Sequence, residues 1–110
     1  MKTPTTVKTF ARAVDFVREE IGDVPLQALA VFLVVAENGE IPHTHLQKKV
    51  GIAQASISRN LMLLSRVDRR GNEGVDLVES FTDPHEHRRK LAKLTTKGEV
   101  LVKKLDEILS

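Results

Sequence analysis

The 110-residue sequence contains no cysteine, which excludes disulfide bonds and thiolate metal ligands and fits a reducing compartment. Tryptophan and tyrosine are also absent, which argues against an aromatic ligand pocket. The longest apolar run, Ala28 to Ala36, is far shorter than the about 20 residues that cross a bilayer. The N-terminus lacks the continuous apolar core of a signal peptide. We therefore expect a cytoplasmic protein with no membrane partner.

Signatures of catalysis are missing from the sequence as well. Ser56, Ser58 and Ser65 have no nucleophile-elbow context, and the glycines form no phosphate loop of known spacing. The sequence therefore predicts a protein that is not an enzyme and that uses no cofactor.

Positive charge is concentrated in the middle of the chain, although the net charge is only +2. Residues 42–70 hold six Lys or Arg against a single Asp, whereas residues 1–41 and 71–110 each carry a small acidic excess. A phosphate backbone attracts such a basic block. A solvated charged face is the alternative interpretation of the charges taken alone.

Hydrophobic periodicity predicts four helices in the first two thirds of the chain. The predicted helices run from Thr5 to Ile21, Pro25 to Glu37, Pro42 to Val50 and Gln54 to Arg66. The second is apolar nearly all round, so it belongs in the middle of the domain.

The last third of the sequence predicts a β-hairpin and a final helix. Two strands, Val75 to Thr82 and Arg88 to Leu94, flank a turn-forming segment at residues 83–87. Thr95 can cap the last helix. We expect one domain over residues 1–110, of a mainly α-helical (α+β) class.

Residues 43–64 have the pattern of a helix-turn-helix. Gly51 separates two short helices at a sharp turn, where glycine permits a positive φ. The side chains that can pack between the helices are Leu46, Val50, Ile57 and Leu61. Small and polar side chains then lie outward near the start of the second helix: Gln54, Ala55, Ser56, Ser58 and Arg59.

This outer face is suited to reading DNA, because the N-terminal end of a recognition helix enters the major groove. Gln54 can bond adenine, Ala55 can touch a thymine methyl group, and Arg59 can reach guanine or a phosphate. Two packed helices with an ordinary polar face are the alternative, which the coinciding basic block disfavours.

Two sequence motifs resemble known regulators. GIAQASISRNL, residues 51–61, is similar to the recognition helix of bacterial winged-helix repressors. DPHEHR at residues 83–88, followed by LTTKG at residues 94–98, resembles the wing and the next helix start of the MarR family. Ala53 replaces the usual N-cap serine, and the stretch from Ser65 to Val75 is longer than the usual link to the wing.

The resemblance implies a winged helix-turn-helix with a two-stranded β-wing. The helix-turn-helix would span about residues 42–66 and the wing about residues 75–95. The terminal helices, at about residues 5–21 and 95–110, would dimerise. Each carries an apolar stripe, and the alternative is that the two stripes pack on each other within one chain.

The resemblance also assigns roles in the wing. An acidic residue and an arginine brace the MarR wing, which implies that Asp83 and Glu86 pair with Arg88. A narrow minor groove attracts Arg, Lys and protonated His. The candidate contacts near the wing tip are His85, His87, Arg88 and Arg89. An ordinary solvated hairpin tip is the alternative.

The four histidines form two pairs, one of which stands at the start of the third helix. A zinc site is one interpretation of the spacing in His43-x-His45 and His85-x-His87, but no cysteine or evident carboxylate set completes it. Hydrogen bonds to phosphates fit better, so His43, Thr44 and His45 join the candidate DNA contacts and no metal site is predicted.

Together these features predict a small MarR-like regulator of transcription. It would bind double-stranded DNA in a sequence-specific manner, as a homodimeric repressor. The alternative is a winged helix used as a protein-interaction or replication-associated module of phage or plasmid type. No small-molecule effector follows from the sequence.

Overall fold

The computed structural model describes residues 1–67 and 70–110, in which five helices and a three-stranded antiparallel sheet form. In chain order the elements are α1 (Thr5–Ile21), α2 (Leu26–Asn38), β1 (Glu40–Pro42), α3 (His43–Val50), α4 (Gln54–Leu64), β2 (Val78–Thr82), β3 (Lys90–Leu94) and α5 (Thr96–Leu109). The predicted mainly α-helical winged-helix class is confirmed. Residues 68 and 69, which belong to the predicted basic block, lie outside the described residues.

Helix α2 occupies the centre of the molecule, as its apolar sequence predicts. Ala28, Val31, Phe32 and Val35 follow helical spacing and are fully buried. The helix packs against α3, α4, β1 and β3. Burial of aliphatic and aromatic side chains at these four positions is the main contribution of α2 to stability.

Strand β1 was not predicted, and it turns the expected two-stranded wing into part of a three-stranded sheet. The strand order is β1-β3-β2, with Ile41 of β1 opposite Ala92 of β3. Three residues are too few for an alternating pattern to show in the sequence. Pro42, predicted to lie in the third helix, ends the strand at the sheet edge, where its missing N–H costs no ladder bond. Because α3 follows at once, β1 ties the helix-turn-helix to the wing.

Both strands of the hairpin begin later than predicted, and residues 75–77 lie outside the sheet. Asp76 has a positive φ of 55°. The Leu77 N–H donates to the carbonyl of Leu64 at 2.8 Å, and the Leu77 carbonyl accepts from the Thr95 N–H at 3.0 Å. Strand β2 therefore begins at Val78, where its ladder with β3 starts.

Helix α4 ends at Leu64, two residues earlier than predicted. Ser65 has an extended backbone, with ψ 173°. Its hydroxyl lies 2.7 Å from the carbonyl of Met62 and 2.6 Å from that of Val67. A serine side chain that bonds the preceding turn competes with the helix and so helps to end it.

Thr95 caps α5, as predicted. Its hydroxyl accepts a bond from the Gly98 N–H at 3.0 Å and donates to the carbonyl of Asp76 at 2.6 Å. A Cβ on Gly98 would lie 2.2 Å from the Leu77 carbonyl oxygen, which explains the glycine of the LTTKG segment. These contacts fix the start of α5 against the base of the hairpin.

Helices α1 and α5 pack together within one chain. Ala13 and Val17 of α1 are buried, as are Leu101 and Leu105 of α5. The intramolecular alternative therefore accounts for part of both stripes.

Candidate nucleic-acid interface

The turn between α3 and α4 has the predicted geometry. Gly51 lies in the left-handed region at φ 77°, and its N–H donates to the Gln47 carbonyl at 2.9 Å. Leu46, Ile57 and Leu61 are buried. The turn and these apolar contacts fix how α4 projects from the domain.

Asn60 is a buried polar side chain that the sequence reasoning missed. It lies on the inner face of α4, and its amide donates to Gln27 Oε1 of α2 at 2.8 Å. The sequence does contain a signal for this buried residue, because Asn60 is a polar residue within the apolar stripe formed by Ile57, Leu61 and Leu64. Because a buried amide must be satisfied, this bond favours one rotational setting of α4 against α2.

The outer face of α4 presents the predicted group of small and polar side chains. Gln54, Ala55, Ser58 and Arg59 are exposed, and Ser56 is half-buried. The Arg59 guanidinium donates to Ser56 Oγ at 3.1 Å. The N-cap residue Ala53 has no side-chain oxygen with which to cap the helix, as the sequence indicated. This face can offer hydrogen bonds and one positive charge to a ligand outside the helix.

The three candidate DNA contacts at the start of α3 differ in their exposure to solvent. Thr44 and His45 are exposed. His43 is half-buried, and its Nε2 lies 3.1 Å from the Ser80 hydroxyl of β2. Burial lowers the pKa of His43, and the positive charge of Lys90 lowers it further. His43 therefore links α3 to the hairpin as a neutral imidazole near pH 7.

The hairpin tip is braced by Arg89, and the expectation that Arg88 forms this pair is wrong. The Arg89 Nε lies 3.3 Å from Asp83 Oδ2, and Asp83 Oδ1 accepts a bond from the His85 N–H at 2.9 Å. The Asp83 N–H also donates to the Arg89 carbonyl, so both backbone and side chain join the two residues. Glu86 contributes through backbone bonds in the turn.

The other tip residues point outward. His85, His87 and Arg88 are exposed, and the Arg89 side chain remains half-exposed beside Asp83. The hairpin can therefore carry several donors and positive charges to a ligand, with Arg88 the more available of the two arginines.

Neither a metal centre nor a membrane span is found in the described part of the chain. Residues 1–67 and 70–110 contain no group of three or more His, Cys, Asp or Glu side chains arranged to hold a metal ion. Within the same residues, no helix has the length and apolar character needed to cross a membrane.

Known proteins resemble this chain in its fold and not in a recognisable family sequence. No family model and no curated protein matches the sequence. Among solved structures, a mutant of MepR from S. aureus bound to an oligodeoxyribonucleotide superimposes with a TM-score of 0.71 at 18% identity, over 94% of this chain and 69% of that one.

Two further regulators were also solved with DNA. Streptococcus pneumoniae FabT in complex with DNA gives a TM-score of 0.70 at 13% identity, over 90% of this chain and 64% of that one. A mutant of MarR from E. coli complexed with operator DNA gives 0.66 at 18% identity, over 94% and 69%.

These likenesses define the architecture as a winged helix-turn-helix. The structural neighbours are consistently MarR-family transcriptional regulators, so the architecture is more particularly the fold of that family. The resemblance that the recognition-helix and wing motifs indicated is confirmed at the level of the fold.

Proposed function

We propose that this protein is a sequence-specific DNA-binding regulator of transcription that acts as a homodimeric repressor in the cytoplasm and catalyses no reaction. The outer face of α4 carries this proposal. Its small and polar side chains, with Arg59, lie on the second helix of the helix-turn-helix, and the neighbours that share this fold include complexes with DNA.

In this proposal α4 reads base edges in the major groove. Gln54 lies in the first turn, where a side-chain amide can bond adenine in a bidentate manner. Ala55 allows close approach and can touch a thymine methyl group, while Ser56 and Ser58 supply hydroxyls. Arg59 lies further along the same face, and it exchanges its bond with Ser56 for one to guanine or a phosphate.

The start of α3 and the hairpin tip position the protein on the DNA backbone. Thr44 and His45 are exposed and can bond phosphates. At the tip, Arg88 supplies an exposed positive charge, whereas Arg89 keeps the hairpin in shape through its ion pair with Asp83. His85 and His87 add donors that reach the backbone or the narrow minor groove.

A homodimer is supported by an apolar groove that the protomer leaves open. The groove has a volume of about 330 Å³ and lies between α1, α2 and the end of α5. Phe10 is 63% exposed and Leu26 is 81% exposed, and Val14, Leu33 and Leu109 also remain in contact with solvent. Contiguous apolar surface of this kind marks an interaction site.

A second copy of the chain is the occupant that we propose. A two-fold axis through the groove would bury both copies of the apolar surface at once. Two recognition helices set about 34–36 Å apart would then meet the major groove one helical turn apart.

Selection of bound fragments from genomic DNA, followed by footprinting, tests this proposal. We expect a short pseudo-palindrome with half-sites separated by about 10 base pairs, in agreement with the dimer geometry. Binding without any enriched sequence would contradict sequence-specific regulation. Failure to retain any fragment would favour the protein-interaction alternative.

A further inference from the structure

Residues 65–67 and 70–74, between α4 and β2, pair with each other through their backbones. We call residues 65–67 and 70–74 the linker loop. Val67 and Glu73 form an antiparallel bridge, and the Gly74 N–H donates to the Arg66 carbonyl at 2.8 Å. Backbone pairing therefore joins the two sides of the linker loop, in a stretch that is longer than the usual link to the wing.

The foot of the linker loop is fixed by close packing at a glycine. A Cβ added to Gly74 would lie 2.1 Å from the Ser65 carbonyl oxygen, a distance that no side chain tolerates. On the other side of the loop, the Ser65 hydroxyl lies within hydrogen-bond distance of the carbonyls of Met62 and Val67. The loop consequently has a defined direction relative to the end of α4.

A concavity of about 720 Å³ lies between the linker loop and the outer face of α4. Exposed Arg70 and Asn72 form its loop side. The helix side consists of residues spaced along one face: Ala55, Ser58, Arg59, Met62 and Leu63. The loop therefore stands directly beside the face that is proposed to read bases.

The chemistry of this concavity suits an anionic strand. Arg59 of the helix and Arg70 of the loop each place a guanidinium in its lining, and Ser58 and Asn72 place neutral polar groups there. None of the described residues that line it is acidic. Guanidinium groups bind phosphate oxygens in bidentate fashion, which makes a phosphodiester the matching ligand.

We propose that the linker loop is an additional DNA contact, in which Arg70 and Asn72 bind a backbone phosphate beside the major groove that α4 enters. The inference rests on the proposed function. A groove about 12 Å wide admits one helix but not a helix with a loop beside it. The loop therefore meets the sugar-phosphate strand at the groove edge and not the base edges, and its contribution is independent of sequence.

Equilibrium binding of Arg70→Ala to duplex DNA across a salt series tests this assignment. Removal of one phosphate contact from each bound protomer lowers the magnitude of the slope of log K against log salt by about 0.9 per protomer. We expect this change to be equal on the selected site and on random duplex. Arg70→Lys keeps the charge and should retain most of the slope.

Arg12→Ala is the matched control, because Arg12 is exposed on α1, which packs on α5 away from α4. It should leave the slope unchanged. Gly74→Ala tests the loop independently: the Cβ displaces the loop while leaving Arg70 in the chain, so affinity should fall on all sequences. Thermal unfolding identifies whether that variant stays folded; if it does not, Arg70→Ala alone decides.

The outcomes separate the inference from the proposed function. If the wild-type protein binds no DNA, the proposed function fails. If it binds DNA and Arg70→Ala keeps the wild-type slope, only the linker-loop contact is overturned. A loss of affinity restricted to one base position would also overturn it, because that result would make Arg70 a base-reading residue.

Discussion

At the scale of single residues, Gln54 and Arg59 differ from their helical neighbours in being exposed and able to make two hydrogen bonds to one base. Replacement of either by Ala should cost about 1–3 kcal/mol of binding free energy and relax specificity at one base position. Competition titrations against single-base variants of the selected site measure both effects. Arg59→Lys is the informative control, because lysine keeps the charge but loses the planar fork. Unchanged base preference in both Ala variants would contradict the placement of α4.

Two adjacent arginines at the wing should respond differently to the same substitution. Arg88→Ala should weaken DNA binding and lower the salt slope with little change in stability, because the side chain is exposed. Arg89→Ala should also lower the free energy of unfolding by about 1 kcal/mol, since it removes the partially exposed ion pair with the buried Asp83 carboxylate. Urea unfolding distinguishes them. Equal stability of the two variants would contradict the bracing role of Arg89.

His43 should make stability depend on pH. Its pKa in the folded protein is lowered by burial and by Lys90, whereas in the unfolded chain it titrates at about 6.5. The unfolded state therefore binds the proton first, and the free energy of unfolding falls as pH drops below about 6.5. The decrease levels off below the folded pKa. His43→Gln, which can still bond Ser80, should remove this part of the pH dependence; an identical pH profile for both proteins would contradict it.

At the scale of elements, the sequence predicted what depends on local periodicity and missed what depends on distant partners. Helix α1 was predicted at its observed bounds, because its stripe is long and flanked by Gly22. Strand β1 could not be predicted, because only its pairing with β3 makes it a strand. The late start of β2 could not be predicted either, because it depends on backbone bonds between Leu77 and two distant residues, Leu64 of α4 and Thr95.

In the candidate site, too, features that depend on local periodicity were predicted and features that depend on distant partners were not. The exposed face of α4 follows from helical spacing, so Gln54 and Arg59 were placed outward correctly. The partner of Asp83 depends on which arginine stands opposite in the hairpin, and sequence position alone selected Arg88 in place of Arg89. The bond from His43 to Ser80 joins residues 37 positions apart, beyond the reach of any local pattern.

The junction between α5 and the hairpin is closely packed at Gly98. Gly98→Ala places a Cβ 2.2 Å from the Leu77 carbonyl oxygen, and both are backbone-fixed. Overpacking of this kind costs about 1–3 kcal/mol of unfolding free energy. The control is Lys97→Ala in the same turn, which is exposed and should be near neutral. A Gly98→Ala protein as stable as the control in urea would show that α5 does not approach the hairpin so closely.

At the scale of the whole molecule, the apolar groove predicts self-association. Phe10→Asp should convert a dimer into a folded monomer, because Phe10 lines the groove and is largely exposed in the protomer. Sedimentation at micromolar concentration measures this. Leu105 is a poorer choice for the test, since it is buried within the protomer and its loss would also affect stability. Lys8→Asp, on the opposite side of α1, is the control and should remain dimeric. A monomeric wild-type protein would contradict the dimer.

The proposed function requires this molecule to bind duplex DNA with α4, the wing and their basic neighbours. Equilibrium titration of the wild-type protein with its selected duplex, from about 50 to about 200 mM salt, measures the affinity and its salt dependence. If Arg59, Arg70 and Arg88 of each of two protomers contact phosphates, binding is tight at the lower salt and weakens roughly 10³-fold across this range. Absence of binding at about 50 mM salt, or an affinity that does not change with salt, would contradict DNA binding through these charged contacts.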